Sequence, residues 1–239
     1  MGSSAVLRGI AASSACLLLF ATGCAKSIDH SLIPEQQPNF QENLAKGKIY
    51  TSALPIGGTP SRLGKVIGVV DAPVDDVWKV VVDYGSYKHF MPLIWESDLI
   101  GSEGNKADAR LQFQIKPIPV IYWCILRYNH NPGIYHIDWQ QVEGDIKNTY
   151  GSYDLAPFPD ANGNRTKLTY QLYFEIGNPL LDTGADWLTE TVLPAVITRI
   201  RDRVKEANPP MMELPAYARP QMVDTQKQIE DAMRDVELR

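Results

Sequence analysis

The sequence predicts an α+β fold: a curved antiparallel sheet of about seven strands around a long, kinked C-terminal helix, with two short helices after the first strand. Three observations predict it. Residues 65–92 read as strand, sharp turn, amphipathic helix and one further helical turn. Residues 94–176 hold a succession of β-prone segments, several strictly alternating, set apart by turn signals. Residues 182–207 carry apolar side chains at spacings of three and four.

Taken in order, residues 48–60 contain Ile49, Tyr50, Leu54 and Ile56, an extra strand or lead-in on the domain edge. Lys65 to Val70 is apolar and β-branched, Asp71-Ala72-Pro73 ends it, and Pro73 has the φ of a helix's first turn. Asp75 and Asp76 sit at the positive end of the helix dipole, while Val74, Val77, Trp78, Val81 and Val82 make one apolar stripe. Gly85 interrupts the helix, residues 86–91 make one more turn, and Pro92 holds Met91 out of the helical region. Ile94 to Ile100 is a short strand. Ala107 to Ile115 then sets Ala109, Leu111, Phe113 and Ile115 on one face against Arg110, Gln112 and Gln114.

Residues 116–119 force a turn, and Val120 to Tyr128 is apolar on both faces. Asn129 to Gly133 reads as a turn that holds His130. Ile134 to Val142 opposes Tyr135, Ile137 and Trp139 to His136, Asp138 and Gln140. Asn148 to Pro157 is a further strand, residues 160–164 a hairpin loop, and Arg165 to Ile176 alternates Leu168, Tyr170, Leu172, Phe174 and Ile176 against polar neighbours. The helix of residues 182–207 buries Ala185, Leu188, Val192, Val196, Ile200 and Val204, and Pro194 inside it is expected to kink it.

The chain of 239 residues, 44% hydrophobic and 21% charged, is long enough for one domain with a real core plus tails. Arg8 followed by an apolar run to Phe20 reads as a signal peptide over residues 1–23, since the run is too short to span a bilayer. Cys24, after Ala-Thr-Gly, resembles a bacterial lipoprotein processing site, where the cysteine is lipidated and becomes the mature N-terminus. Ala25 behind it, in place of an inner-membrane retention aspartate, implies the outer membrane, with the domain facing the periplasm. Residues 24–47 then form a lipidated tether spanning on the order of 25 Å. Residues 48–207 are the domain, and residues 208–239 a Pro-rich linker and charged tail. After cleavage the chain carries 22 basic against 28 acidic side chains, which argues against nucleic acid or an anionic membrane surface as a partner. With Cys24 lipidated, Cys124 has no disulfide partner and reads as a buried thiol.

Ala72, Pro73, Val77, Trp78, Asp83, Tyr84, Tyr87, Phe90 and Pro92 make a pattern that resembles the opening of the START-like (SRPBCC) superfamily, which takes in polyketide cyclases, coenzyme-Q-binding proteins and lipid-transfer domains. Gly151, Tyr153, Leu155 and Pro157, then Tyr170, Pro179 and Pro194, extend the likeness more loosely. The resemblance implies the helix-grip fold and a ligand cavity between sheet and helix. The candidate wall is Leu111, Phe113, Ile115, Tyr122, Trp139, Tyr153, Tyr170, Leu172, Leu188, Val192 and Val196. Residues 92–95, 117–119 and 178–181 are the candidate entrance, with Trp95 and Leu180 as apolar lips.

No metalloprotease, nucleophile-elbow or phosphate-loop motif is present, and neither a metal nor a cofactor is expected. The candidate acid–base group is His136 with Asp138, two apart on one strand face, and Arg127 on the strand before. The expected function is a membrane-anchored periplasmic binding or transfer protein for a hydrophobic molecule: a lipid, sterol-like terpenoid, quinone or polyketide. The alternatives are an aromatase/cyclase-type enzyme and an envelope interaction module without a ligand, whose protein partner the sequence does not name.

Overall fold

The computed structural model describes residues 33–56, 62–115, 119–159, 164–177, 187–209 and 212–220. The signal segment, Cys24, the residues beyond 220 and the N-terminal part of the long helix, Ala185 included, lie outside the described residues.

Eight strands form one antiparallel sheet: β1 (Tyr50–Pro55), β2 (Arg62–Val70), β3 (Ile94–Glu103), β4 (Lys106–Gln114), β5 (Ile121–Asn131), β6 (His136–Gly144), β7 (Asn148–Phe158) and β8 (Arg165–Glu175). Their order is β1-β2-β8-β7-β6-β5-β4-β3. The eighth strand is the lead-in, which pairs along β2 from Tyr50 opposite Ile67 to Pro55 opposite Arg62. β4, β6 and β8 stand where alternation predicts them. Irregularities at Ile94/Glu96, Leu99/Gly101 and Ile125/Leu126 bend the far half of the sheet.

Between β2 and β3 the chain crosses one end of the sheet through helices α2 (Val74–Val81) and α3 (Tyr87–Phe90). α2 buries Val77, Trp78, Val80 and Val81 against the sheet and the long helix, the job its apolar stripe predicts. The long helix enters as a π-helical turn, Leu188–Val192, and continues as α4 (Leu193–Ala207). Pro194 is the second residue of α4, directly after the π-helical turn, and has no N–H to give to that turn's carbonyls. The irregularity expected at this proline takes the form of the wide turn ahead of it. α4 lies against β2 because that strand offers glycine at the contact: a Cβ on Gly64 would stand 2.6 Å from Leu193 Cδ1, and one on Gly68 2.6 Å from Ile197 Cγ2.

Three expectations are corrected. The last part of the stretch read as tether is folded. Helix α1 (Phe40–Ala45) buries Phe40 and Leu44 on the outer face of the sheet with Tyr50, Ile67, Val69 and Phe158, a second small core. Phe40 and Leu44 are one turn apart, enough apolar surface to dock a six-residue helix that has no stability alone. The start of the tail is also part of the domain. Tyr217 and Ala218 are buried; Trp78 Nε1 donates to the Ala218 carbonyl at 2.9 Å, and the Tyr217 hydroxyl donates to Val82 O at 2.8 Å. His130, read as a turn residue, is a fully buried β5 residue, since β5 runs on to Asn131.

Candidate functional site

The concave face of the sheet and the π-helical entry of the long helix bound a partly open cavity of about 100 Å³. Strand alternation sets its wall. Residues facing each other across the ladder share a face, so Tyr128 opposite Trp139, Trp139 opposite Gly151 and Gly151 opposite Leu172 form one inward row across four strands. Ile137, Tyr153 and Tyr170 form the inward row beside it.

Of the predicted wall, Leu111, Phe113, Trp139, Tyr153, Tyr170 and Leu172 border the cavity from the sheet, and Leu188, Val192 and Val196 from the helix. Ile115 and Tyr122 do not. Ile115 is buried just past the end of β4, and the Tyr122 ring stacks on Phe113 at 5.9 Å, a layer away from the space. Sequence reasoning missed Tyr87, Met91, Cys124, Leu126, Tyr128, Thr149, Phe174 and Trp187, which also line it. β5 is apolar on both faces, so no alternation told which of its residues face in. Tyr87 and Met91 come from the short helix read only as closing the sheet.

The half-buried Pro92, Leu93 and Ile94 border the cavity on one side, and the exposed Trp187 and the half-buried Leu188 border it opposite, on the helix side; we take these as the mouth. The first group is the predicted entrance. Trp95 next to it is 59% exposed and does not border the cavity; exposed Pro119 does not either. Pro117, Ile118 and residues 178–181, with Leu180, lie outside the described residues. Leu93 holds a left-handed backbone, φ 67°, at a cost of about 1 kcal/mol for a side chain with a Cβ. Its carbonyl accepts from the Gln114 N–H at 3.1 Å, which fixes this lip to β4.

None of the described lining residues is charged. Polarity comes from hydroxyls. Tyr87 donates to Val81 O at 2.6 Å, and Thr149 Oγ1 to Tyr173 O at 2.7 Å. The Tyr153 hydroxyl is 3.5 Å from that of Tyr87, a long contact. Burial pushes the Tyr87, Tyr128, Tyr153 and Tyr170 phenols well above their ordinary range, and burial with the nearby Asp145 carboxylate pushes the Cys124 thiol up to about 12. All five stay protonated at neutral pH. Trp139 stacks on Tyr170 at 5.4 Å, with the tilted rings of Tyr153 and Tyr128 at 5.2 and 5.9 Å, an aromatic floor.

The predicted acid–base group is not assembled at the cavity. His136, Asp138 and Arg127 lie on the outer face of the sheet with partly exposed side chains. Arg127 is held by Asp108 in a two-pronged pair at 2.8 and 2.7 Å, His136 Nδ1 sits 2.6 Å from Asp154 Oδ1, and Asp138 accepts from Asn129 at 2.8 Å. The two-residue spacing brings His136 Nε2 only to 3.9 Å from Asp138. Each group is held by a different neighbour, as on an ordinary polar surface.

Residues 70–201 match a family model described as polyketide cyclase / dehydrase and lipid transport. No curated protein matches the chain. Among solved structures, a STAR-related lipid transfer protein fragment from Xanthomonas axonopodis is 20% identical with a TM-score of 0.55, over 66% of this chain and 93% of that one. A protein of Thermus thermophilus is 16% identical with a TM-score of 0.53, over 60% and 97%. A START superfamily protein from Mycobacterium smegmatis is 16% identical with a TM-score of 0.51, over 61% and 98%. At these identities the structures share the fold. The family match runs from the end of β2 into α4, across more than half of the chain and all of the described cavity wall. The chain therefore belongs to the polyketide cyclase / dehydrase and lipid transport family, and it has the helix-grip fold.

Proposed function

We propose that the chain is a periplasmic binding or transfer protein for a hydrophobic small molecule, held at the outer membrane through a lipid on Cys24. The observation that carries the binding part is the apolar cavity between sheet and helix, whose described lining holds no charge. Such a space desolvates an apolar ligand at roughly 25 cal/mol per Å² removed from water. The family's description names lipid transport, and the sequence before the domain supports the anchor.

At about 100 Å³ the cavity is smaller than the roughly 300–1,000 Å³ of sites that enclose a drug-sized ligand. A lipid enters in part, its body leaving past Leu93 and Trp187, or it enters whole as Met91, Leu93 and Leu188 move apart. Among the described lining residues the titratable groups are phenols and one thiol with raised pKa values, and none of these is poised near neutrality for acid–base work, which favours carriage over cyclisation.

Native mass spectrometry on protein purified from its own membranes tests this reading. A stoichiometric lipid-like adduct supports it. Repeated absence of an adduct, with no thermal shift against a lipid and quinone panel, overturns it, and an adduct that is turned over replaces the carrier by an enzyme. Cys24→Ser is expected to move the protein out of the membrane fraction; wild type that carries no acyl group refutes the anchor.

A further inference from the structure

Two phenols in the cavity wall have nothing to bind. Tyr128 is 2% exposed and Tyr170 7% exposed, yet neither hydroxyl makes a hydrogen bond among the described residues. Neither oxygen is among the sealed-off unpaired atoms of the described residues, those of Tyr50 and Gln141, so both hydroxyls keep access to open space. Three other buried phenols are satisfied: Tyr84 by His130, Tyr87 by Val81 O, Tyr217 by Val82 O. A hydroxyl at such depth is costly to leave unpaired unless something in the cavity meets it. Both rings pack on the Trp139 indole, so the two hydroxyls belong to one aromatic floor.

The rest of the wall says what kind of group would meet them. No lysine, arginine or histidine is among the described lining residues, so a carboxylate or phosphate brought there would be desolvated without a counter-charge. A protonated phenol donates well to a neutral carbonyl oxygen, and a carbonyl loses far less on leaving water than an anion does. Building on the carrier reading above, we infer that the cavity selects a neutral ligand whose carbonyl oxygen accepts hydrogen bonds from Tyr128 and Tyr170, and that it rejects fatty acids and other anionic lipids. The small cavity volume suits a ligand that sends its carbonyl end inward and leaves its tail at the mouth.

Three probes of one chain length decide this: 2-undecanone, undecanoate and undecane, titrated separately into the purified protein at neutral pH, with bound ligand read by equilibrium dialysis. The ketone is expected to bind at least about tenfold tighter than either of the others. Tyr128→Phe and Tyr170→Phe, each with the ring retained, are expected to weaken the ketone several-fold and the pair together by more, while undecane binding is unchanged. A carbonyl stretch of the bound ketone that lies lower in frequency in wild type than in the double variant is the expected hydrogen-bond signature. If undecane binds as well as the ketone, or undecanoate binds better, the inference fails and the cavity reading stands. If no probe binds, both fail.

Discussion

A Cβ placed on Gly151 would stand 2.3 Å from Cζ2 of Trp139 and 2.1 Å from the backbone oxygen of Gln171. The indole lies across the bare backbone of the neighbouring strand, and that is how so large a side chain fits flat in the cavity floor. Neither obstacle is a flexible chain end, so Gly151→Ala is expected to cost about 3 kcal/mol, the upper end of what overpacking costs. The midpoint of urea unfolding measures it, and a midpoint equal to wild type contradicts the packing. The same variant is expected to weaken ligand binding, because the displaced indole moves into the cavity.

Trp78 Nε1 bonded to Ala218 O and the Tyr217 hydroxyl bonded to Val82 O stitch the segment after the long helix over α2. Tyr217 also covers Tyr84 and His130, with ring centroids 6.0 and 5.0 Å away. Ending the chain after Asn208 is therefore expected to lower stability by about 3–5 kcal/mol relative to ending it after Pro220, from one buried aromatic and two hydrogen bonds. Equal unfolding midpoints for the two truncations would remove this segment from the domain.

The tail and the folded end of the tether escaped the sequence reading for the same reason. Tyr217 lies between prolines, and Phe40 and Leu44 stand in a Gln- and Asn-rich stretch. Each region offers only a few apolar anchors, without the spacing that makes a period. The strands were legible because one face is core and the other water: Leu111 and Phe113 on β4, Tyr170 and Leu172 on β8 alternate with polar residues. Where both faces are apolar the signal vanishes, and Tyr128, Leu126 and Cys124 went unassigned for that reason. His136 and Asp138 show the opposite limit. Their spacing was read correctly, but partners from other strands, Asp154 and Asn129, decide what they do.

His130 gives the fold a pH dependence with a definite sign. The Asn105 carbonyl, 2.7 Å from Nδ1, can only accept, so Nδ1 carries the proton and Nε2 accepts from the Tyr84 hydroxyl at 2.6 Å. Burial depresses the imidazole pKa, against the pull of the Asn105 hydrogen bond and the distant Asp138 charge. The unfolded chain therefore takes up a proton, near pH 6.5, before the folded one does. The contribution is fully present above about pH 6.5 and is lost as pH falls toward the folded value, with a slope no steeper than about 1.4 kcal/mol per pH unit for one proton. Asp108, held low by its hydrogen bonds to Arg127, acts only at more acid pH, near and below about 4. Denaturant unfolding of wild type and His130→Gln between about pH 7.5 and 5 is expected to show stability falling in wild type and a flatter profile in the variant. Parallel profiles would show that His130 protonates freely in the fold.

A cavity kept for a ligand and a defect in packing respond differently to filling. Val192 sits on the π-helical turn with its side chain at the cavity wall. Closing a void of about 100 Å³ recovers at most about 2 kcal/mol at roughly 24 cal/mol per Å³, whereas forcing a ring into a closed core costs about 1–3 kcal/mol. Val192→Phe is therefore expected to leave the unfolding midpoint unchanged or raised and to abolish binding of 2-undecanone, as the new ring takes the space above Trp139. The wide turn helps, because a π-helical segment adjusts more readily than the α-helix that follows it. A variant that loses stability and still binds would mean that the ligand lies elsewhere. A variant that keeps both would mean that the cavity reaches well beyond Val192 along the wall of β4 and β5.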